Sequence, residues 1–193
     1  MRMKHKFNPW AAIGVALLYL LFVFASCFIG FLHPACWAYF SVLAAILAVG
    51  PYFWLAARWQ GFAVGIVLAL LVCLFCLATG EAGGLLSKAV ILGGGVLADV
   101  VRQFAGNSSR KALFCAYPFL AIGNIGWIIR LWTDKQFYYD GAAEEMGQAY
   151  AEGIKALQTP GHLVAVIVLT AAVAVLGVRL CTKVDKKSSN LLQ

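Results

Sequence analysis

Charged residues are scarce in this sequence of 193 residues, and acidic residues are the scarcest of them. Asp, Glu, Lys and Arg make up 12% of the chain, with 8 acids against 15 bases, whereas hydrophobic residues make up 63%. A soluble globular domain carries about 25% charged residues. The scarcity therefore excludes the water-exposed shell of a soluble domain, and the length indicates a single domain.

Catalytic motifs are also missing. The sequence has no G-x-x-x-x-G-K-[ST] loop to hold a nucleotide phosphate, no H-E-x-x-H zinc motif and no G-x-S-x-G nucleophile turn. The acids between residues 134 and 152 are not paired with nearby histidines. We therefore expect no enzymatic activity, and any uphill transport must draw its energy from a partner or an ion gradient.

Cysteine occurs at six positions but in no metal-binding pattern. Cys73 and Cys76 have the C-x-x-C spacing, yet they lie in an apolar run without a second pair. Cysteines in such a run are typical packing residues. The sequence therefore predicts no bound metal and no cofactor of the protein's own.

Long apolar stretches are what the chain has instead. A helix of about 20 residues crosses the ~30 Å hydrocarbon core with its backbone hydrogen bonds satisfied internally. The sequence predicts an all-α polytopic membrane protein with one six-helix domain over residues 1–187, and a tail over 188–193. Gly50 and Pro51 predict a kink or break in the second span. The predicted spans are 9–32, 34–57, 62–79, 84–105, 112–133 and 160–182.

The charges sort by loop. If successive loops alternate between two sides of a membrane, one side receives 11 of the 15 bases, and the other receives 6 of the 8 acids. An excess of Lys and Arg in short loops marks the cytoplasmic face. Both termini are therefore predicted to be cytoplasmic, and the long acidic loop 133–159 external, with an amphipathic helix over 142–157. The same bias explains the net charge of +7 without a nucleic-acid partner.

Polar and aromatic side chains gather near the predicted external face. Asn124, Trp127 and Arg130 recur every three residues and so lie on one helix face. An Arg at this depth either faces a ligand or extends to the interface, and the aromatics either stack on a ligand or form the interfacial belt. The candidate substrate-binding residues are Asn124, Trp127, Arg130, Trp132, Tyr138, Tyr139, His33 and Trp37.

These residues leave the chemistry of the small-molecule ligand open. Arg130 and the aromatics fit a flat, partly anionic heterocycle. His33 and His162, at the outer ends of helices, fit haem or a metal chelate as cargo. The acidic loop fits a cationic ligand as readily.

Two features lie towards the predicted cytoplasmic side. Asp99 and Arg102 are one turn apart in the fourth span, which predicts an ion pair. Ala12 and Ala16 in the first span form a flat stripe against which another helix packs tightly.

Three segments carry a family resemblance: Gly50 to Gly61, Ala116 to Trp132, and Gly147 to Pro160. They are similar to the substrate-binding S components of energy-coupling factor (ECF) transporters, in particular the Trep_Strep or MptD-like group. The resemblance implies a six-helix protein of the bacterial cell membrane that holds a small molecule under external loops. It also implies docking, through a stripe matched by Ala12 and Ala16, on a transmembrane coupling subunit with two cytoplasmic ATPases.

On this resemblance we expect the S subunit of an ABC importer that captures a micronutrient, such as a vitamin-like heterocycle or a haem or metal chelate. Loop 133–159 and the connection 80–84 are expected to act as lids. The alternative is a stand-alone secondary transporter or channel. That alternative requires a gradient-coupling acid at membrane depth, for which Asp99 is the candidate, and it favours inverted repeats, which the sequence does not show.

Overall fold

The computed structural model describes residues 8–59, 61–79, 84–106 and 109–191, and it leaves out the side chains of 110 and 184–191. The connection 80–84, predicted as a lid, lies outside the described residues except for Gly84, and so do the basic residues before position 8. Every regular element in the described ranges is a helix. The elements are α1 (Pro9–Gly30), α2 (Pro34–Ala38), α3 (Phe40–Leu47), α4 (Val49–Arg58), α5 (Val64–Ala78), α6 (Gly84–Phe104), α7 (Arg110–Gly123), a 3-10 segment (Asn124–Ile128), α8 (Arg130–Thr133), α9 (Lys135–Met146), α10 (Gln148–Leu157) and α11 (Pro160–Leu191).

The prediction of an all-α polytopic membrane protein is confirmed. Four helical segments are long and apolar enough to cross a membrane, at Pro9–Gly30, Gly84–Phe104, Lys111–Ile128 and Pro160–Lys183. Helices α3 and α4 meet at an angle of 47° and form a fifth candidate span together. The remaining apolar segment, α5, has 15 residues. The described residues thus hold four or five spans by length, and the third predicted span, 62–79, corresponds to the short α5.

The predicted second span is divided where its sequence indicated a break. Helix α4 begins at Val49, so Pro51 lies in its first turn, where a missing N–H costs no helical hydrogen bond. The hydroxyl of Tyr117 in α7 donates a 2.8 Å hydrogen bond to the carbonyl of Ala45 in the last turn of α3. A neighbouring helix therefore supplies a polar partner beside the break, as a membrane interior requires.

Two adjacent glycines set the close packing of α6. A Cβ atom at Gly94 would lie 2.6 Å from Cα of Gly123 in α7. A Cβ atom at Gly95 would lie 2.6 Å from the carbonyl oxygen of Gly65 in α5. Helix α6 therefore touches both neighbours backbone to backbone, which is how small residues bring membrane helices together.

Asp99 of α6 binds the beginning of α5. Its carboxylate oxygens accept hydrogen bonds from the backbone N–H groups of Gly65 at 3.0 Å and Ile66 at 2.9 Å. These N–H groups lie in the first turn of α5, where a helix has no internal partners for them and where its dipole favours a negative charge. The carboxylate is 2% exposed, so it acts as a buried helix cap.

Arg102 of α6 binds the end of α4 in the complementary way. Its guanidinium donates to the carbonyls of Ala56 at 3.5 Å, Trp59 at 3.3 Å and Gly61, and it lies 3.8 Å from the Asp99 carboxylate. A cation is favourable at a helix C-terminus because the helix dipole places partial negative charge there. The predicted ion pair is present, and it joins α4, α5 and α6 at the end of the bundle opposite to α9 and α10.

We predict that Arg102→Met destabilises the protein by about 3–5 kcal/mol, because it leaves a buried carboxylate without its counter-charge. The measurement is thermal unfolding in detergent. Gln103→Met is the matched control, since Gln103 is the exposed neighbour on the same helix, and a surface change of this kind stays within about 0.5 kcal/mol. Equal unfolding temperatures for the two variants would contradict the role given to Arg102.

Candidate ligand-binding site

Helices α9 and α10 cover one end of the bundle, and we call them the helical cap (Lys135–Leu157). The segment predicted as a loop with one helix over 142–157 is divided differently, because Gly147 ends α9 with φ of +89°, a conformation that favours glycine. Helix α10 packs on α2 without a gap. A Cβ atom at Gly153 would lie 2.7 Å from Cγ of Pro34.

Four side-chain hydrogen bonds fasten the cap. The Tyr150 hydroxyl donates to the carbonyl of Gly30 at the end of α1, at 2.8 Å. Indole Nε1 of Trp132 donates to the carbonyl of Leu157 at 3.1 Å, and Nε2 of Gln158 donates to that of Lys135 at 2.9 Å. In the fourth, Nε1 of Trp37 in α2 donates to the hydroxyl of Tyr138 in α9. Two of these bonds therefore join the cap to α1 and α2, and the other two join its first and last residues to the residues that flank it.

A cavity of about 180 Å³ lies between the cap and the adjoining ends of α1 and α2. Most of its wall is aromatic, with one thioether and one carboxylate. Its lining residues are Phe31, Trp37, Phe137, Tyr138, Gly141, Ala142, Glu145, Met146 and Tyr150. A concave, largely apolar site with a few polar groups is the usual form of a small-molecule site.

Two of the predicted binding residues lie in this cavity. Trp37 packs against Gly30, where a Cβ atom would lie 2.5 Å from its ring, and its ring centroid is 5.4 Å from that of Phe31. Tyr138 meets Trp37 from the opposite wall through their hydrogen bond. The pair thus connects the bundle to the cap across the cavity.

Arg130 and Trp132 lie beside the cavity and do not line it. The Arg130 guanidinium forms a 2.5 Å ion pair with Asp134 and sits 3.5 Å above the ring centroid of Phe137. Its charge is thus matched within the protein, which argues against the predicted role as the anchor of an anionic ligand. Trp132 is 9% exposed and holds the end of α10 through Leu157.

Asn124 and Trp127 lie inside the bundle, away from the cap. Asn124 donates from Nδ2 to the hydroxyl of Tyr19 in α1 at 3.3 Å. The Trp127 ring packs between Phe40 and Phe75, with centroids 6.3 and 6.0 Å away. Its indole Nε1 is buried and has no hydrogen-bond partner among the described residues. The predicted face of Asn124, Trp127 and Arg130 is therefore divided between the core and the cap.

Tyr139 points to the outer surface of the cap. Its hydroxyl donates to Glu152 at 2.6 Å and accepts from Gln148 at the same distance, and Lys155 lies over its ring. The hydrogen bond to Glu152 raises the pKa of Tyr139 above its ordinary value. This residue joins α9 to α10 and does not line the cavity.

His33 and His162 have local partners. Nδ1 of His33 accepts from the N–H of Ala35 at 3.1 Å and so caps α2. Nδ1 of His162 lies 2.8 Å from the hydroxyl oxygen of Thr159. In the part of the chain that the structure describes, no group of three or more His, Cys, Asp or Glu residues is placed to hold a metal ion.

The two alanines predicted to dock on a partner are covered by the chain itself. Ala12 is 6% exposed and Ala16 is 9% exposed, and both belong to the face of α1 that packs into the core. The stripe serves as a packing surface within the bundle. The open small residue on the other face of α1 is Gly14, at which a Cβ atom would meet no atom within 4 Å.

The site contains residues that the sequence argument did not select, although a signal for them exists. Gly141, Ala142, Glu145 and Met146 were not selected, and with the predicted Tyr138 they follow the i, i+3, i+4, i+7, i+8 pattern of one helix face. The pattern is visible only if a helix is placed over 135–146. The prediction of a helix over 142–157 divided this face at its middle.

The family model described as a hypothetical bacterial integral membrane protein family, Trep_Strep, matches residues 11–188. The chain belongs to this family. Searches among curated proteins and among solved structures found no match. Membership in a family of integral membrane proteins agrees with the apolar helical spans. The family description names no binding site, so the candidate site is argued from the geometry of the cavity.

We predict that Tyr150→Phe loosens the cap by removing the bond to Gly30. Burial raises the pKa of Tyr150 from 10.0 to about 12, so the hydroxyl remains a donor at neutral pH. The contribution of this bond is complete below pH 10 and is lost as the pH rises through about 12. Amide hydrogen exchange of α10 should become about two- to tenfold faster at neutral pH.

The matched control is Tyr39→Phe, because Tyr39 follows α2 and its ring lies near that of His162, outside the cap. That change should leave the amide exchange of α10 close to the wild-type value. Equal exchange in wild type and Tyr150→Phe would contradict the anchoring role of Tyr150.

Proposed function

We propose that this Trep_Strep protein is the substrate-binding S subunit of an ECF-type importer that captures a small micronutrient. The observation that carries the proposal is the aromatic cavity beneath the helical cap at one end of a polytopic membrane bundle. The cap closes over a site large enough for a small molecule, and it is fastened to the bundle by a few side-chain hydrogen bonds. Such a site suits capture and release better than catalysis.

The proposed setting is the bacterial plasma membrane, with the cap outside and both termini in the cytoplasm. The distribution of Lys and Arg supports this orientation. Residues 130–157, which include the cap, hold five acids and three bases, a net charge of −2 within a chain of +7. The Asp99–Arg102 pair lies at the opposite end of the bundle, which becomes the cytoplasmic end.

The proposed energy source is a partner. The sequence holds no phosphate-binding loop of its own, and in this proposal the coupling subunit and two cytoplasmic ATPases of an ECF complex supply the energy for uphill uptake. The alternative of a stand-alone secondary transporter needs an acid that couples transport to an ion gradient, and Asp99 is a poor candidate for that role. Asp99 is occupied by two backbone N–H groups and Arg102, which fits a fixed structural role.

Docking on the coupling subunit is proposed to use the exposed face of α1. Ala12 and Ala16 face the core, whereas Trp10 and Leu17 are 80% and 53% exposed on the other side. Gly14 lies between them with open space in front of it, so a partner helix can approach closely there.

We expect the chain, isolated gently from its own host, to carry along a membrane subunit and two ATPases. Native mass spectrometry checks this composition. Vesicles containing the full assembly should accumulate ligand only with ATP inside, and vesicles with the single chain should not accumulate it. Uphill uptake by the single chain under an ion gradient would instead support the stand-alone transporter.

We predict that Gly14→Leu greatly reduces co-isolation of the coupling subunit while it leaves ligand binding and thermal stability unchanged. Gly93→Leu in α6 is the matched control, since a Cβ atom at Gly93 also meets no atom within 4 Å. Co-isolation should persist in that control. A full complex with Gly14→Leu would exclude this face of α1 from docking.

A further inference from the structure

The cavity under the cap has an unusual chemical lining for its size. Five aromatic side chains surround it, together with the thioether of Met146. Among its lining residues Glu145 alone carries a charge, and that residue is exposed, so the charged end of the site reaches the surface. The lining therefore combines aromatic rings, whose faces carry negative potential, with one carboxylate.

The neighbouring cations do not reverse this potential. Arg130 lies above the ring of Phe137, one of the lining residues, and Asp134 pairs with it at 2.5 Å. Lys155 lies against Tyr139 on the outer surface of the cap. With five acids and three bases across residues 130–157, the surroundings of the cavity are negative overall.

Aromatic faces attract cations, and the attraction is strongest for Trp and for sites removed from water. Quaternary ammonium groups are held by cages of this composition. A carboxylate at the rim adds a charge partner without the desolvation penalty of a buried one. An anion in the same place would meet Glu145 and the ring faces without a free counter-charge.

The size of the cavity limits the ligand. Pockets for drug-sized molecules measure about 300–1,000 Å³, whereas this cavity measures about 180 Å³. The ligand is therefore compact, with a few rings or alkyl groups at most.

We propose that the cavity binds a small organic cation, either a quaternary ammonium ion or a cationic nitrogen heterocycle. The cation sits against the rings of Trp37, Tyr138 and Tyr150, and its charge faces Glu145. This assignment rests on the proposed function in one respect, since it takes the cavity as the site that holds the cargo. The sequence leaves open whether the ligand is anionic or cationic, and this proposal assigns it a positive charge.

The test is equilibrium binding to the isolated full-length chain in lipid nanodiscs, by calorimetry and by Trp fluorescence. Two matched pairs serve as probes: choline with its neutral isostere 3,3-dimethylbutan-1-ol, and N-methylpyridinium with toluene. At least one cation should bind about tenfold or more tightly than its neutral isostere, because charge is the difference within each pair. Neutral members that bind as tightly as both cations, or no binding of either cation at millimolar concentration, would overturn the proposal.

A pair of neighbouring variants locates the charge. Glu145→Gln keeps the shape of the side chain and should weaken cation binding about three- to fivefold, as expected for a partly exposed ion pair. Glu144→Gln removes an acid that is adjacent and exposed but does not line the cavity, so it should change the affinity less than about twofold. Equal effects of the two variants would show a general surface potential and overturn the role of Glu145.

These experiments distinguish failure of the ligand class from failure of the proposed function. Cation binding by a chain that isolates without ATPases would retain the ligand class and reject the importer subunit. ATP-driven uptake by the full complex, with no cation preference in either probe pair, would retain the importer subunit and reject the ligand class.

Discussion

The end of the bundle opposite to the cap depends on the buried pair of Asp99 and Arg102. The connection between α4 and α5 leaves helix ends inside a bundle with little access to water, and unpaired backbone groups there are costly. Asp99 satisfies two N–H groups of α5, and Arg102 satisfies three carbonyls at the end of α4 and in the turn that follows. Because both side chains come from α6, one helix fixes the positions of two others.

From this end the packing leads to the site. Helix α6 holds α5 and α7 through glycine contacts, and α7 continues through the 3-10 segment into α8, which carries Arg130 and Trp132 to the base of the cap. The second anchor comes from α1, whose last carbonyl receives Tyr150. The cap is thus placed by two separate parts of the bundle, and the cavity is the space that remains between them.

Most of the fold could be predicted from the sequence, because apolar length and loop charge follow directly from the chemistry of a bilayer. The ion pair of Asp99 and Arg102 and the break near Pro51 were predictable from local spacing. The site was harder to predict than the fold. Gly147 ends α9, so the lining face of α9 is continuous only in a helix that stops there. The helical composition of 142–157 predicted a helix that crosses Gly147 and so hid this face. Arg130 and Ala12 show that local sequence patterns do not reveal tertiary contacts. No such pattern tells whether a neighbour neutralises the charge of Arg130 or whether other helices cover the side chain of Ala12.

The shortness of α5 has a consequence for the surrounding lipid. At about 1.5 Å per residue, its 15 residues extend roughly 22 Å, against a hydrocarbon core of about 30 Å. If α5 crosses the bilayer, the acyl chains beside it must shorten or tilt to meet it, and thinning of this kind has a modest cost for each ångström of mismatch. A bilayer of shorter acyl chains fits this side of the protein better, so lipid composition becomes a determinant of how the protein sits and moves in its membrane.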